Sequence, residues 1–374
     1  MMTGLKILKT EKGINPGLEE MFRDLLKDKI LDGIIIPKST PDNKFIYQVL
    51  HKDPEKLSGT FTFSPVMPSN SATLLKNMTK FTPSEEKIGV VLKPCEMRAV
   101  VELVKLKQIN LDNLYLFTVD CTGTVDIDVY SKPETERETL NKKAFESFPD
   151  ASTFTEIRTA CSICDNCFPT DTTDIGIGLY GADQNEIFIS FHTEKGKEIA
   201  DNIKNLSDKD KAGREKALHE IKEEKHKKKE AHLNKFISEV SGIENLSAFF
   251  SKCINCHNCK SQCPICICRE CFFESGTFDY ESEQLLSWAD RSGMLKMPTD
   301  LLLFHIGRMN HMVSSCVSCG ICSQACPVGI DVGSLFLLTG WNAQALFNYE
   351  AGRSFEEELP ISTFREDELT ELGE

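Results

Sequence analysis

Two stretches of the chain spell one cysteine pattern, each closed by proline: Cys253-x2-Cys256-x2-Cys259-x3-Cys263-Pro264 and Cys316-x2-Cys319-x2-Cys322-x3-Cys326-Pro327. Three thiolates at this spacing sit on one short loop and can wrap an iron–sulfur cube, while the fourth points away to ligate the other cube. Eight cysteines and two prolines in register are not a chance match. The chain therefore moves single electrons, and its other residues must say between what.

Five further cysteines come earlier: Cys95 in Lys93-Pro94-Cys95-Glu96, Cys121 in Asp120-Cys121-Thr122-Gly123, and Cys161, Cys164 and Cys167. A cube needs four ligands, so one of these is surplus. Cys95 and Cys121 each follow an apolar run that reads as a strand, and ligand sites of open α/β sheets gather at such ends. Both are expected to converge with the Cys161 loop. Zinc competes, since C-x2-C pairs also bind it tetrahedrally. Beside two ferredoxin motifs, a third cluster is the expected occupant.

Cys266, Cys268 and Cys271 remain. They read as free thiols buried in a helix beside the clusters. A further site is the alternative, although Cys-x1-Cys-x2-Cys is tight for a cube. His257 reads as a loop residue that tunes its cluster, and the eight histidines show no paired metal spacing. No hydrolase constellation stands out. Gly176-Ile177-Gly178-Leu179-Tyr180-Gly181 has dinucleotide-fingerprint spacing but no clear helix after it, so a glycine-rich turn between strands is expected.

The elements that must position these cysteines fall into successive zones. Residues 1–205 read as α/β, with β-rich runs at 33–36, 88–92, 114–119 and 187–191. A helical pattern spans 95–107, with Met97, Val100, Val101, Val104 and Leu106 on its apolar side. Such alternation predicts a mixed or parallel sheet with helical crossovers. Residues 206–246 are a charged helical linker, read as a solvated joining helix, with a partner-docking face as the alternative. Leu233, Phe236, Ile237 and Val240 give it an apolar stripe. Residues 247–335 form a mainly α-helical ferredoxin domain holding two [4Fe–4S] clusters. Its long spacer looks helical at Leu285, Leu286 and Trp288, and Pro298-Thr299-Asp300 opens another helix. Residues 336–374 are an acidic C-terminal tail with Glu356, Glu357, Glu358, Glu366, Asp367 and Glu368, expected to wrap a partner or lack fixed structure.

Composition narrows the partners. A net charge of −14 disfavours nucleic acid and anionic membranes. No run reaches the roughly 18 apolar residues of a spanning helix; the most apolar candidate, 301–306, is interrupted by His305. Residues 1–13 carry lysines and no apolar h-region, so no secretory signal is expected. Sixteen clustered cysteines in an unexported chain favour metal ligation over disulfides. The expected place is an oxygen-poor cytoplasm.

The order and context of Lys93-Pro94-Cys95-Glu96, Asp120-Cys121-Thr122-Gly123, Cys161-x2-Cys164, Thr173-Asp174-Ile175-Gly176-Ile177-Gly178 and Phe191-His192-Thr193-Glu194-Lys195-Gly196 resemble one family. It is the beta-subunit family of coenzyme F420-reducing hydrogenases and F420-dependent formate dehydrogenases. The likeness covers roughly residues 20–205 and, with the ferredoxin motifs, most of the chain. Pro65-Val66-Met67-Pro68-Ser69-Asn70-Ser71-Ala72, the run 253–271 and the segment from Gly340-Trp341-Asn342 through Glu358 look like the formate dehydrogenase branch.

The resemblance implies one FAD, one core [4Fe–4S] cluster, hydride exchange with coenzyme F420, and a place in methanogenesis. It maps the core ligands to Cys95, Cys121, Cys161 and Cys164, with Cys167 spare. Cys161-x2-Cys164-x2-Cys167 can also supply three ligands, which would displace Cys95 or Cys121. A hydride carrier works in electron pairs and cubes work singly, so a flavin is the converter such a chain needs. Ser69, Asn70, Ser71 and Thr73 precede or open a helical run and suit the FAD pyrophosphate at a helix N-terminus, with an ordinary N-cap as the alternative. Lys38, Lys93, Arg98 and Lys195 are the basic candidates for the F420 phosphate and polyglutamate tail.

The implied partner is a formate dehydrogenase alpha subunit with a molybdenum or tungsten pterin. A hydrogenase, a heterodisulfide reductase or a membrane electron-transport chain is the alternative. Two other readings compete: a flavin-free iron–sulfur relay, and a zinc-stabilised interaction protein.

Overall fold

The computed structural model describes residues 4–42, 44–148 and 153–363. Eight strands form one sheet: β1 (Gly4–Lys9), β2 (Gly33–Ser39), β3 (Ile46–His51), β4 (Ile88–Leu92), β5 (Leu114–Val119), β6 (Ile175–Gly178), β7 (Glu186–Phe191) and β8 (Leu206–Asp208). Their order is β3-β2-β4-β5-β6-β7-β1-β8. The four strands β2, β4, β5 and β6 run parallel, and antiparallel strands close both sides. The sheet is mixed, as the alternating pattern implied.

Every residue of β4 and β5 is buried, which is what strands covered on both faces require. Alternate side chains then feed two cores. Val91, Phe117, Val119 and Ile177 pack with Leu18, Phe22 and Leu25 of the helix Ile14–Lys27. Val90, Leu92, Leu114 and Leu116 pack under the helix Pro94–Lys105. That second core continues into Phe304, Leu335 and Phe336 of the cysteine-rich part, so one apolar mass joins the sheet to the ferredoxin motifs.

The charged run becomes the helix Ala212–Val240. Arg214, Leu218, Lys225, Leu233, Phe236 and Val240 are its buried side, so it is a docked strut with one solvated face. β8 belongs to the sheet although it lies past residue 205, where the linker was expected to begin. The expected boundary at 335 falls inside the helix Val332–Leu346, which is largely buried because its first two turns are apolar but for Ser334. Residues 347–363 then return to the α/β part, and Glu366, Asp367 and Glu368 lie outside the described residues. Among the described residues no helix is long and apolar enough to cross a membrane.

Candidate functional site

The parallel strands aim their C-terminal ends at one edge. Lys93 follows β4 directly, and Asp120 and Cys121 follow β5. Asp120 is fully buried and its carboxylate accepts from Leu179 N (2.8 Å), Tyr180 N (2.9 Å) and both Arg214 nitrogens (2.5 and 2.7 Å). Those bonds fix the turn that presents Cys121. Gly178 belongs to this lock, since a Cβ there would lie 2.4 Å from the Arg214 guanidinium. Gly176 and Gly178 thus sit in β6, and only Gly181, with φ +73°, makes a turn after it. The glycine spacing serves packing.

Cys95, Cys121, Cys161 and Cys164 come within electrostatic reach of one another. Burial pushes the Cys95 thiol well up, and the fields of Cys319, Cys121 and Cys164 add to it. Burial and Cys161 push Cys164 up to about 11. Against the pull of burial, Arg158 and the Thr124 hydrogen bonds hold Cys161 below its ordinary value. Cys167 adjoins Cys164 and Cys121 but packs at 5% exposure in the apolar core with Tyr180 and Phe148. Its carbonyl accepts from Cys121 N at 2.9 Å.

The two ferredoxin loops share a backbone. Asn255 and His257 (φ 55° and 58°) have left-handed counterparts at Ser318 and Gly320 (57° and 69°). Left-handed residues are uncommon outside glycine, and here they shape both loops alike. Asn255 N donates to Cys253 Sγ at 3.4 Å and Ile330 N to Cys326 Sγ at 3.3 Å. The fields sort the thiols crosswise: burial apart, Cys259 is raised by Cys253, Cys326 and Cys256, while Cys322 is raised by Cys263, Cys319 and Cys316. The fourth cysteine of each motif therefore faces the other motif's trio. Among the described residues no three donors lie close enough to hold a single metal ion. All sixteen cysteines are free thiols, and twelve of them fall into three sets of four that suit a cube, whose ligands stand further apart.

The middle set (Cys263, Cys316, Cys319, Cys322) touches the core set. Cys319 is the largest neighbouring charge on Cys95, and the buried Arg158 feels Cys161, Cys95 and Cys319 together. The distal set (Cys253, Cys256, Cys259, Cys326) reaches the surface at the exposed Cys256. Cys266 and Cys271 are half-buried around Lys260, and Cys268 is exposed. None of the three lies in a helix, because Pro264 and the cluster loop break it; the helix-buried reading is corrected. His257 is a loop clamp: its ring stacks on Phe304 at 4.1 Å and its Nε2 lies 3.2 Å from Asn255 Oδ1.

A cleft opens beside the core set, lined by Tyr47, Gln48, Ser64, Met67, Ser69, Ser71, Leu74, Lys93 and Glu96 among others. The helix Ser71–Thr79 starts at its wall, yet its leading N–H groups are already taken. Glu96 Oε1 accepts from Ser71 N (2.9 Å) and Ser71 Oγ (2.5 Å), and Asn70 Oδ1 accepts from Ala72 N (3.0 Å). Thr73 N donates to the Asn70 carbonyl at 3.0 Å. A pyrophosphate at this helix end would have to compete with the Glu96 carboxylate for Ser71 N and Oγ, an arrangement that favours the ordinary N-cap over the phosphate reading of Ser69, Asn70, Ser71 and Thr73. Asn70 instead lies beside the Cys319 thiol, its buried amide nitrogen lacking a well-formed bond. The orphaned polar atom of the cleft wall is the buried Gln48 Oε1, an acceptor that suits the N–H edge of a ring.

The basic candidates divide. Lys93 lines the cleft, with its ammonium donating to the Ser64 carbonyl. Lys38 donates to the Lys56 carbonyl at 2.6 Å and does not line the cleft. Arg98 is a buried clamp on Ala351 O (2.9 Å) and Val317 O (3.2 Å). Lys195 donates to Leu111 O (3.1 Å) and Leu114 O (3.4 Å), at the opposite end of β5 from Cys121. Sequence reasoning missed Gln48, Glu96, Arg158, Arg214, His305 and Arg308. Of these, His305 left a signal as a polar break in an apolar run, and Glu96 stood in the Lys93-Pro94-Cys95-Glu96 motif without its role being legible.

Residues 85–210 match the family model for the C-terminal part of the coenzyme F420 hydrogenase/dehydrogenase beta subunit, and residues 249–330 match a 4Fe-4S dicluster domain. The chain is similar to the F420-dependent formate dehydrogenase subunit beta of Methanocaldococcus jannaschii, at 27% identity over 84% of this chain and 86% of that one. It is 30% identical to the F420-dependent formate dehydrogenase 1 subunit beta of Methanococcus maripaludis, over 82% of each chain. Among solved structures, a chain of the F420-reducing [NiFe] hydrogenase complex from Methanosarcina barkeri aligns with a TM-score of 0.47 at 17% identity, covering 65% of this chain and 94% of that one.

Proposed function

The chain belongs to the family of F420-dependent formate dehydrogenase beta subunits, oxidoreductase subunits that serve a catalytic partner, and from that premise we propose that it exchanges a hydride with coenzyme F420 and relays single electrons to or from a formate-oxidising, pterin-bearing alpha subunit. When bound, FAD would convert an electron pair to single electrons and three [4Fe–4S] clusters would carry them. Cys253, Cys256, Cys259 and Cys326 would hold the distal cube, Cys263, Cys316, Cys319 and Cys322 the middle one, and Cys95, Cys121, Cys161 and Cys164 the core one. Cys167 is spare. Gln48 and Lys93 would hold the flavin ring in the cleft, whose wall Ser69 and Ser71 also line, and the exposed Cys256 marks the edge that meets the partner.

One observation carries this reading: the three sulfur sets lie in series and the last adjoins the cleft, since Lys93 lines the cleft and Cys95, two residues on, belongs to the core set. The working place is the cytoplasm. The test is F420 reduction and re-oxidation by the anaerobically purified chain, reconstituted with iron, sulfide and FAD, with an artificial dye as the second partner. FAD-dependent turnover is expected. No turnover at full cluster and flavin occupancy overturns the reading, and NADH would then be tried as the hydride carrier.

A further inference from the structure

The helix Leu301–Met312 buries two polar side chains one turn apart, His305 at 1% and Arg308 at 3% exposure. Arg308 donates to Cys259 Sγ and to the Cys259 carbonyl, each at 3.0 Å. His305 Nε2 lies 3.3 Å from Cys253 Sγ, and its ring stacks flat on Phe250 at 3.7 Å. His305 Nδ1 is buried without a partner. A ligating thiolate only accepts, so the imidazole proton belongs on Nε2. Burying a guanidinium costs several kcal/mol unless an anion faces it, and Cys259 of the distal set is the first of the sulfurs this one faces, followed by Cys263 and Cys322 of the middle set and by Cys266.

We propose that His305 and Arg308 are a donor pair that raises the reduction potential of the distal cube. A donor to a ligating sulfur stabilises the more negative, reduced cluster, and fixed positive charge does the same. His305 acts on the distal set alone. The field of Arg308 also reaches Cys263 and Cys322 of the middle set, so its effect spreads. Both are positioning residues that would act on the cluster through its ligands. The inference rests on the ligand sets proposed above, and iron content tells the two apart: loss of iron on Cys256→Ala tests the ligand set, while His305 variants must keep it.

The experiment is a redox titration of the full reconstituted chain, followed by the electron paramagnetic resonance of the reduced clusters, with the distal component assigned by its loss in Cys256→Ala. His305→Leu should shift that component about tenfold toward the oxidised form at fixed potential, or 59 mV for one electron. The other components stay in place, and His305→Gln, which keeps an N–H, recovers part of the shift. Arg308→Met should shift the distal component most and the middle one less. An unmoved distal component at full iron content overturns the proposal, as does an equal movement of all three. Should His305→Leu lose iron, Arg308→Met is read in its place, and an unmoved distal component there at full iron content overturns it.

Discussion

Cys121 and Cys167 are joined by a backbone hydrogen bond, yet Cys121 has Lys93 and Arg158 close by while Cys167 packs into the apolar core beside Tyr180 and Phe148. Cys121→Ala should therefore lose about four of about twelve irons per chain, and Cys167→Ala should lose none; a colorimetric iron assay on reconstituted protein reads the difference. Glu96 is the second residue with an outsized role. Its carboxylate takes Ser71 N and Oγ on one oxygen and Lys93 N (2.8 Å) on the other. Glu96→Ala strands those buried donors and should cost on the order of 3 kcal/mol, read as a lower denaturation midpoint of the cluster-free chain. The cysteines were legible because metal ligation fixes residue type and spacing together. Glu96 was not, because a carboxylate four residues past a strand looks the same whether it caps a neighbouring helix or faces water.

At the heart of the sheet β4 and β5 could be read to the residue, since doubly covered strands must be continuous apolar runs, whereas the central β6 could not, because Gly176 and Gly178 gave it the look of a turn. The outer strands β1, β3 and β8 could not: their Lys6, Tyr47 and Asp208 give mixed patterns that a loop also shows. The helix Ala212–Val240 was legible as a helix but not as a brace. Charge counts do not reveal which charged side chain is buried, and here they are Arg214 against Asp120 and Lys225, which donates to Cys161 O (3.3 Å) and Ser162 O (3.2 Å). Arg214→Met leaves Asp120 buried and unpaired, which costs about 3–5 kcal/mol. Equilibrium unfolding should show that loss, core iron should fall with it, and adding Asp120→Asn should restore part of both.

For the whole molecule, the serial order of the sulfur sets makes the middle one indispensable for traffic with a partner and dispensable at the cleft. Cys319→Ser should abolish formate-linked F420 reduction by the reconstituted two-subunit enzyme while dye-linked F420 oxidation stays within about twofold, because the dye exchanges electrons near the flavin. Equal loss of both activities in folded protein would refute the order. The cysteine-rich part is also tied down at both of its ends. The long helix enters across the Cys161 loop, and the returning segment is held where Glu102 accepts from Tyr349 Oη (2.5 Å) and Gly352 N (2.8 Å) and Arg98 grips Ala351. Asn166 adds a bond to Glu350 at 3.0 Å. A ferredoxin module bolted at entry and exit has no arc to swing through, so the passage of charge between its thiol sets should be indifferent to the viscosity of the solvent, as in a soldered wire and unlike a tethered shuttle.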